Sequence, residues 1–578
     1  MMKTLSLVLA TCSMALCSNV EANTQFFKLA KTTQENTPDS TEGAPAQQKR
    51  AEIIDLEAGN YLASRFAQAH HDWKSANNFI NPILISDLSH GDIIYRAMII
   101  SMGAGDHDRA IKLAEQTKAN SNKSTIADVF LLVDAFKHND IDKAMAIYKT
   151  LPQDPTIRFI GPFVKAWLDA ANGEINIKNL RQNTIQLYHG ILISDFLNDH
   201  KDIEKMIEKA MDLDDVSAVE VERIADLYGH VGMKDKAISL YQSIIKKNPE
   251  SENNQFLENK IDNLNKGTDI PLFKKIKTVQ HGMAQAFYDI AKIMYNENND
   301  DSARVFGNVA LYLAPDMSET LFLLADINAR HKQYDAAISL YKTVPKEDDN
   351  FLQAQFDIVD IYEDTEQFDE ALSVLKRLSE KDKKPDTLIK IGDLYRHRSE
   401  YKTALDWYNK AVSALGGSVT KDYWHLHYVR GIAYEQTDRW KKAETELAAA
   451  LEFQPDHPYI LNYLGYSWVD RGVNLDKATE MIQRAVNLKP NDGYITDSLG
   501  WAQYRNADYK GAVKSLERAV ELLPYDPTVN DHLGDAYWQV NRKLEARFQW
   551  ERAKNNSNDD NQIKAIEEKL VNGLKTDI

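Results

Sequence analysis

Two stretches decide the fold: LNYLGYSWVDRGVNLDKATEMIQRAVNLKP at residues 461–490 and DSLGWAQYRNADYKGAVKSLERAVELLP at residues 497–524. In the second, Gly500 lies twelve residues before Ala512, and Leu516 and Ala519 follow that alanine by four and seven. Offsets of four and seven keep side chains on one helical face. Small residues on both helices of a pair let two backbones approach closely. Tyr509, three residues before the alanine, seals the turn, and Pro524, twelve after it, stops the second helix. The reading is a helix, a tight turn and a second helix that packs back on the first.

Working outward, the same alanine recurs as Ala76, Ala110, Ala144, Ala237, Ala303, Ala337, Ala371, Ala404, Ala443, Ala478, Ala512 and Ala546. The gaps are 34 and 34, then 93 across a degenerate stretch, then 66, 34, 34, 33, 39, 35, 34 and 34. A period near 34 marks a stack of paired helices. The small partner recurs as Ala225, Ala291, Ala325, Gly392, Gly431 and Gly534, and the sealing group as Trp73, Tyr334, Phe368, Tyr401 and Trp440. The fold class expected is all-α, a right-handed superhelical solenoid of antiparallel helix pairs with about 12–13 units.

From about Lys384 to Ala553 the pattern resembles the tetratricopeptide repeat family. The layout as a whole, an exported leader followed by a run ending in NDHLGDAYWQVNRKLEARFQWERA, is similar to exported repeat proteins of Gram-negative bacteria. The resemblance implies a superhelix and a protein-binding role, without naming a pathway.

The N-terminus reads as an export signal over residues 1–22. Lys3 gives a positive start, Leu5 to Leu16 is an apolar stretch too short to span a bilayer, and Val20-Glu21-Ala22 fits a peptidase site. Both cysteines, Cys12 and Cys17, fall inside it, so a chain cleaved after Ala22 has no disulfide or thiolate metal site. The competing expectation is a lipid anchor on Cys17, although Leu16 before it is not small. Residues 23–50 read as a flexible polar linker. Residues 51–249 read as degenerate helical repeats, 250–283, with Gly267 and Pro271, as an irregular insert or joint, and 284–558 as the regular array. Residues 559–578, amphipathic through Ile563, Ile566, Leu570 and Leu574, read as a capping helix.

Composition narrows the function. With 86 acidic against 69 basic residues, a net charge of −17, the balance works against the binding of phosphate backbones, which require clustered cations. No HExxH, GxSxG or P-loop pattern occurs. His70-His71 and His425-x-His427 lack the spacing that sets two imidazoles on one helical face, and Asp214-Asp215 and Asp348-Asp349 suit helix ends. The expectation is therefore no catalytic residues, no metal, no cofactor and no nucleic acid.

What remains is a surface. In this architecture the first helix of each pair lines the concave face, through positions three before, one after and four after the small residue. These give Asn462, Tyr466 and Val469, then Asp497, Trp501 and Tyr504, then Asp531, Asp535 and Trp538, flanked by Asp470 and Arg505. Tyr428, Glu435, Asp393 and Arg396 come from earlier units. Aromatic rings are typical anchors of interfaces, and the alternating acids suggest a protein or peptide partner carrying Lys or Arg. Two alternatives stand beside a groove-binding adaptor of the periplasm. One is a structural subunit that assembles through its convex or terminal surfaces, the other a cryptic enzyme.

Overall fold

The computed structural model describes residues 44–85, 91–119, 124–152, 154–177, 180, 184–199, 205–206, 218–230, 232–247, 254–267, 276–381 and 383–574. Residues 1–22, read as an export signal, and 23–43, read as part of a linker, lie outside the described residues. Among the described residues all regular structure is helical, from Ala44–Ala69 to Asp560–Asn572, and consecutive helices pair as an all-α solenoid.

One turn explains the pairing. A residue in the left-handed region breaks the first helix, the next residue caps the second, and the periodic alanine follows four places later. His71 (φ 58°) precedes the cap Asp72, Asn139 (φ 63°) precedes Asp140, Asn298 (φ 57°) precedes Asn299, and Ala507 (φ 63°) precedes Asp508. Each cap side chain accepts a backbone N–H three residues on, satisfying a donor the helix start leaves free. Ala76, Ala144, Ala303 and Ala512 then sit against the preceding helix, all 0% exposed.

The left-handed residue tracks the repeat better than the alanine does. It occurs at His71, Gly105, Asn139, Gly173, Asn198, Gly232, Gly267, Asn298, Lys332, Glu366, Ser399, Asp438, Gly472, Ala507 and Asn541. The steps are 33 to 35 residues, except 25 after Gly173, 31 after Gly267 and 39 after Ser399. Gly173, Asn198 and Gly267 mark units where no alanine aligns.

Two expected boundaries differ. The first helix begins at Ala44, inside the stretch read as linker. The stretch read as an irregular insert holds helix Asn254–Lys266 and the start of Val279–Asn296. Leu257, Lys260 and Leu264 bury one face of the former, and the Lys260 ammonium donates to Glu222 (2.8 Å) and Asp226 (2.7 Å). A buried lysine hid this face from a reading that looked for apolar periodicity.

The chain divides into two compact units, residues 1–361 and 362–578, with the division inside helix Phe351–Asp364 rather than near 250–283. In the first unit, distant helices meet. Val279–Asn296 packs on Pro155–Ala171, where a Cβ on Gly282 would overlap the Trp167 ring. Asp300–Leu313 packs on Gly91–Gly103 and Thr125–Lys137. Asn308 donates to the Gly103 carbonyl (3.2 Å), and the Tyr312 hydroxyl donates to Asp134 (2.7 Å). The His71 ring stacks on His331 at 3.6 Å. Every residue of Asp300–Leu313 except Asp301 is buried, in accord with apolar groups on all sides of that helix.

The second unit is the regular array. Its pairs run from Pro385–His397 with Tyr401–Ala414 to Pro527–Gln539 with Lys543–Asn556, and Asp560–Asn572 follows as a single helix. A Cβ on Gly431 would lie 2.7 Å from Leu447, and one on Gly465 2.8 Å from Ile482. Gly392, Gly500 and Gly534 meet Tyr408, Leu516 and Trp550 in the same way. The small residue is thus where the second helix seats a large packing group.

Candidate partner-binding face

Within the second unit the first helices of successive pairs lie side by side, Pro458–Asp470 against Gly493–Arg505 and that against Pro527–Gln539. Because Gly500 faces Leu516, the residues around it on the same helix turn toward the neighbouring first helices. Asp497 is buried and both its carboxylate oxygens accept from His532 Nδ1 at 3.0 Å. Burial alone would lower the imidazole's pKa; Asp497, helped by Asp531 and Asp535, outweighs it and holds the group above its ordinary value. The Trp501 ring is stacked between Tyr504 (4.9 Å, 6°) and His532 (4.2 Å, 15°). Tyr504 meets Tyr509 edge-on at 5.4 Å. Trp501 and Tyr504 both remain half-buried.

At Pro458–Asp470, Asn462 and Tyr466 are half-buried and Asp470 is exposed. Asn462 Oδ1 is buried without a hydrogen-bond partner. Burial raises the Tyr466 phenol, reinforced by Asp497 and Asp470 and opposed by Arg505. Val469 is 0% exposed, so it belongs to the core rather than the face. Arg505 lies half-buried beside the Asp470 carbonyl at 3.5 Å.

The last three expected positions are differently placed. Lys569, from helix Asp560–Asn572, donates to both oxygens of Asp531 and of Asp535 at 2.8–2.9 Å. Trp550 Nε1 also donates to Asp535 (2.9 Å). Burial pushes the Asp535 carboxyl up to about 6 against the pull of Lys569. Trp538 is enclosed by Trp550 (5.3 Å), by the Lys543 ammonium over its ring (3.7 Å) and by Gly573, where a Cβ would overlap it. Asp531, Asp535 and Trp538 therefore face the chain's own terminal helix, not an open groove. The acids of earlier units are also paired: Glu435 with Arg471 (2.8 Å) and Asp393 with Arg396 (3.2 Å).

Sequence reading missed His532, Lys569 and Gly573. A signal existed for the last two. Lys569 stands 35 residues after Gly534, the step that separates Gly465 from Gly500. It occupies the small-residue place of a further unit, with Gly573 four places on.

Comparison with known proteins agrees with the repeat. Family models described as tetratricopeptide repeat match residues 223–251, 294–350, 328–390 and 498–560. The TPR repeat-containing protein PA4667 of Pseudomonas aeruginosa is 30% identical over 187 residues, 32% of this chain and 30% of that protein. The match thus spans under a third of the relative's length. Among solved structures, YrrB, a TPR protein with an unusual peptide-binding site, is 19% identical with a TM-score of 0.27, over 34% of this chain and 97% of that one. The APC/C hetero-tetramer Cut9-Hcn1 is 14% identical with a TM-score of 0.38, over 90% of this chain and 96% of that one. At these scores neither structure informs what this chain binds. No helix among the described residues is long and apolar enough to cross a membrane.

Proposed function

This chain belongs to the tetratricopeptide repeat proteins, and we propose that it is an exported, non-catalytic adaptor that holds a partner protein's segment on the first-helix face of its second unit. The observation that carries the reading is the half-buried set of Tyr466, Trp501 and Tyr504, in which Trp501 is stacked on both Tyr504 and His532. Rings already held by neighbours lose little freedom on binding, which lowers the ordering cost of association. The acids Asp497, Asp531 and Asp535 are engaged within the chain, so on this face only Asp470 and its surroundings favour a basic partner. Export rests on the leader at residues 1–22, with attachment through Cys17 as the lipidated form. N-terminal sequencing of the mature protein separates them: a start at Asn23 supports cleavage, and a blocked start at Cys17 supports the anchor.

The test of the face is capture from cross-linked envelopes with wild type and with a Tyr466→Ala, Trp501→Ala, Tyr504→Ala chain of unchanged helicity. A partner held by the first and lost by the second supports the proposal, and equal capture overturns it. One observation favours a second reading, assembly through the outer surface. Leu544 and Phe548, one turn apart on Lys543–Asn556, are 81% and 65% exposed. On that reading Leu544→Asp with Phe548→Asp abolishes capture while the ring substitutions do nothing.

A further inference from the structure

The two carboxylates beneath the terminal helix form a built seat. Four carboxylate oxygens converge on one ammonium at 2.8–2.9 Å, and Asp535 is 5% exposed. Removing one partner of a buried ion pair leaves an uncompensated charge, so anything that replaces Lys569 must bring its own cation. Three residues before Lys569, Ile566 is 0% exposed in the cluster that holds Trp550 and Ala553, with Leu570 and Leu574 against its edge. Four residues after Lys569, the backbone of Gly573 lies so close to Trp538 that any Cβ there would overlap Cζ2. These are three independent demands on an occupant: an aliphatic group, a cation three residues on, and a glycine four residues beyond that.

The rest of its hold is a few hydrogen bonds at the rim: Gln562 donates to the Thr528 hydroxyl (3.3 Å) and accepts from Ser557 (2.6 Å), and Arg547 donates to the Leu570 carbonyl (3.4 Å). Asp560–Asn572 is a first helix with no second helix behind it among the described residues, and Ile566 is its one buried side chain. A terminal element, with neighbours on one side only, is where a repeat stack opens first. Only the three residues Ser557, Asn558 and Asp559 separate it in sequence from Lys543–Asn556.

We propose that the end face of the last full repeat, formed by Asp531, Asp535, Trp538 and Trp550, is a docking site for a short amphipathic helix of the pattern Ile-x-x-Lys-Leu-x-x-Gly. The chain's own Ile566–Gly573 is its resident, releasable occupant. A partner helix of this chemistry enters when the resident leaves. The proposal extends the adaptor reading to a second surface of the same unit and rests on that reading only for its biological use. Specificity comes from the cost of every mismatch: no cation strands two carboxylates, and no glycine meets the Trp538 ring.

The probe is a fluorescent synthetic peptide of residues 559–574, titrated by anisotropy against the full chain. Ile566→Ala weakens the resident helix without altering the seat, and Lys569→Ala does so by a second route. The expected result is at least tenfold tighter peptide binding to either variant than to wild type. Peptides carrying Lys569→Met or Gly573→Ala bind the variants at least tenfold more weakly than the native peptide does. Hydrogen exchange of wild type should show residues 560–572 at least tenfold less protected than 527–539. Equal protection, no binding by either variant with helicity intact, or binding indifferent to the lysine and glycine overturns the proposal. The Tyr466→Ala, Trp501→Ala, Tyr504→Ala chain separates the two readings, since its peptide binding stays unchanged whatever becomes of its captured partner.

Discussion

Trp501 sits beside a glycine that permits its neighbour's packing and between two rings that hold it flat. The glycine is the more sensitive of the two. Gly500→Ala gains about 1 kcal/mol of helix propensity. It also forces a methyl into Leu516 and its backbone, and overpacking costs roughly 1–3 kcal/mol. Urea unfolding should show a net loss, and a stabilised variant would mean that Leu516 relaxes freely. His532 makes an opposite kind of statement. Its pKa is raised in the fold, so its contribution is complete below the unfolded value near 6.5 and is lost as pH rises through the folded one. His71 is lowered, burial being the largest cause, so the first unit loses stability as pH falls below about 6.5. Denaturation from pH 5 to 8 should therefore respond oppositely to His532→Gln and His71→Gln. At this scale the sequence showed the rings and acids but not their partners. Asp531 and Asp535 look free because the cation that meets them lies 34 to 38 residues away, on a helix judged only by its apolar stripe.

Between helices, the decisive residue is the one that turns the chain. Alanine periodicity fails over residues 152–213. The left-handed turn persists, and Gly173, Asn198, Gly232 and Gly267 keep the count. Where the place is held by Ala507, at φ 63°, the side chain is strained. The left-handed conformation costs a residue with a Cβ roughly 1–2 kcal/mol, while glycine's extra unfolded freedom returns about 0.5–1 kcal/mol. Ala507→Gly should raise the midpoint of urea unfolding, and a lowered midpoint would show the strain to be absent. Helix Asp300–Leu313 was legible for a different reason and was passed over. Val305, Phe306, Val309 and Leu311 point to several sides at once, so the helix has no outer face to show water. A second helix in an open stack of pairs would keep one side for water, and this one keeps none.

The molecule as a whole holds two compact units that obey different rules. The second, residues 362–578, is a chain of nearest neighbours, so its stability is a sum of adjacent interfaces and a lesion stays local. The first, residues 1–361, joins elements remote in sequence, so a lesion at one end is felt at the other. Gly282→Leu, which drives a side chain into Trp167, should lower protection from Pro155–Ala171 through Val279–Asn296 in hydrogen exchange and leave Pro458–Asn556 unchanged. Loss confined to residues near 282 would show that the two ends are independent.

The meeting of His71 with Asp301 and His331 also sets an order of events. These partners are separated by 230 residues and more, and Asn308 reaches Gly103 over 205. A growing chain emerges at about 5–20 residues per second, so the early helices wait on the order of ten seconds or more for Asp300–Leu313 to be made. Through that interval Gly91–Gly103 and Thr125–Lys137 present apolar sides that have no cover. Until residue 313 has left the ribosome the nascent chain keeps these sides bare, and over that stretch of time it is prone to aggregate.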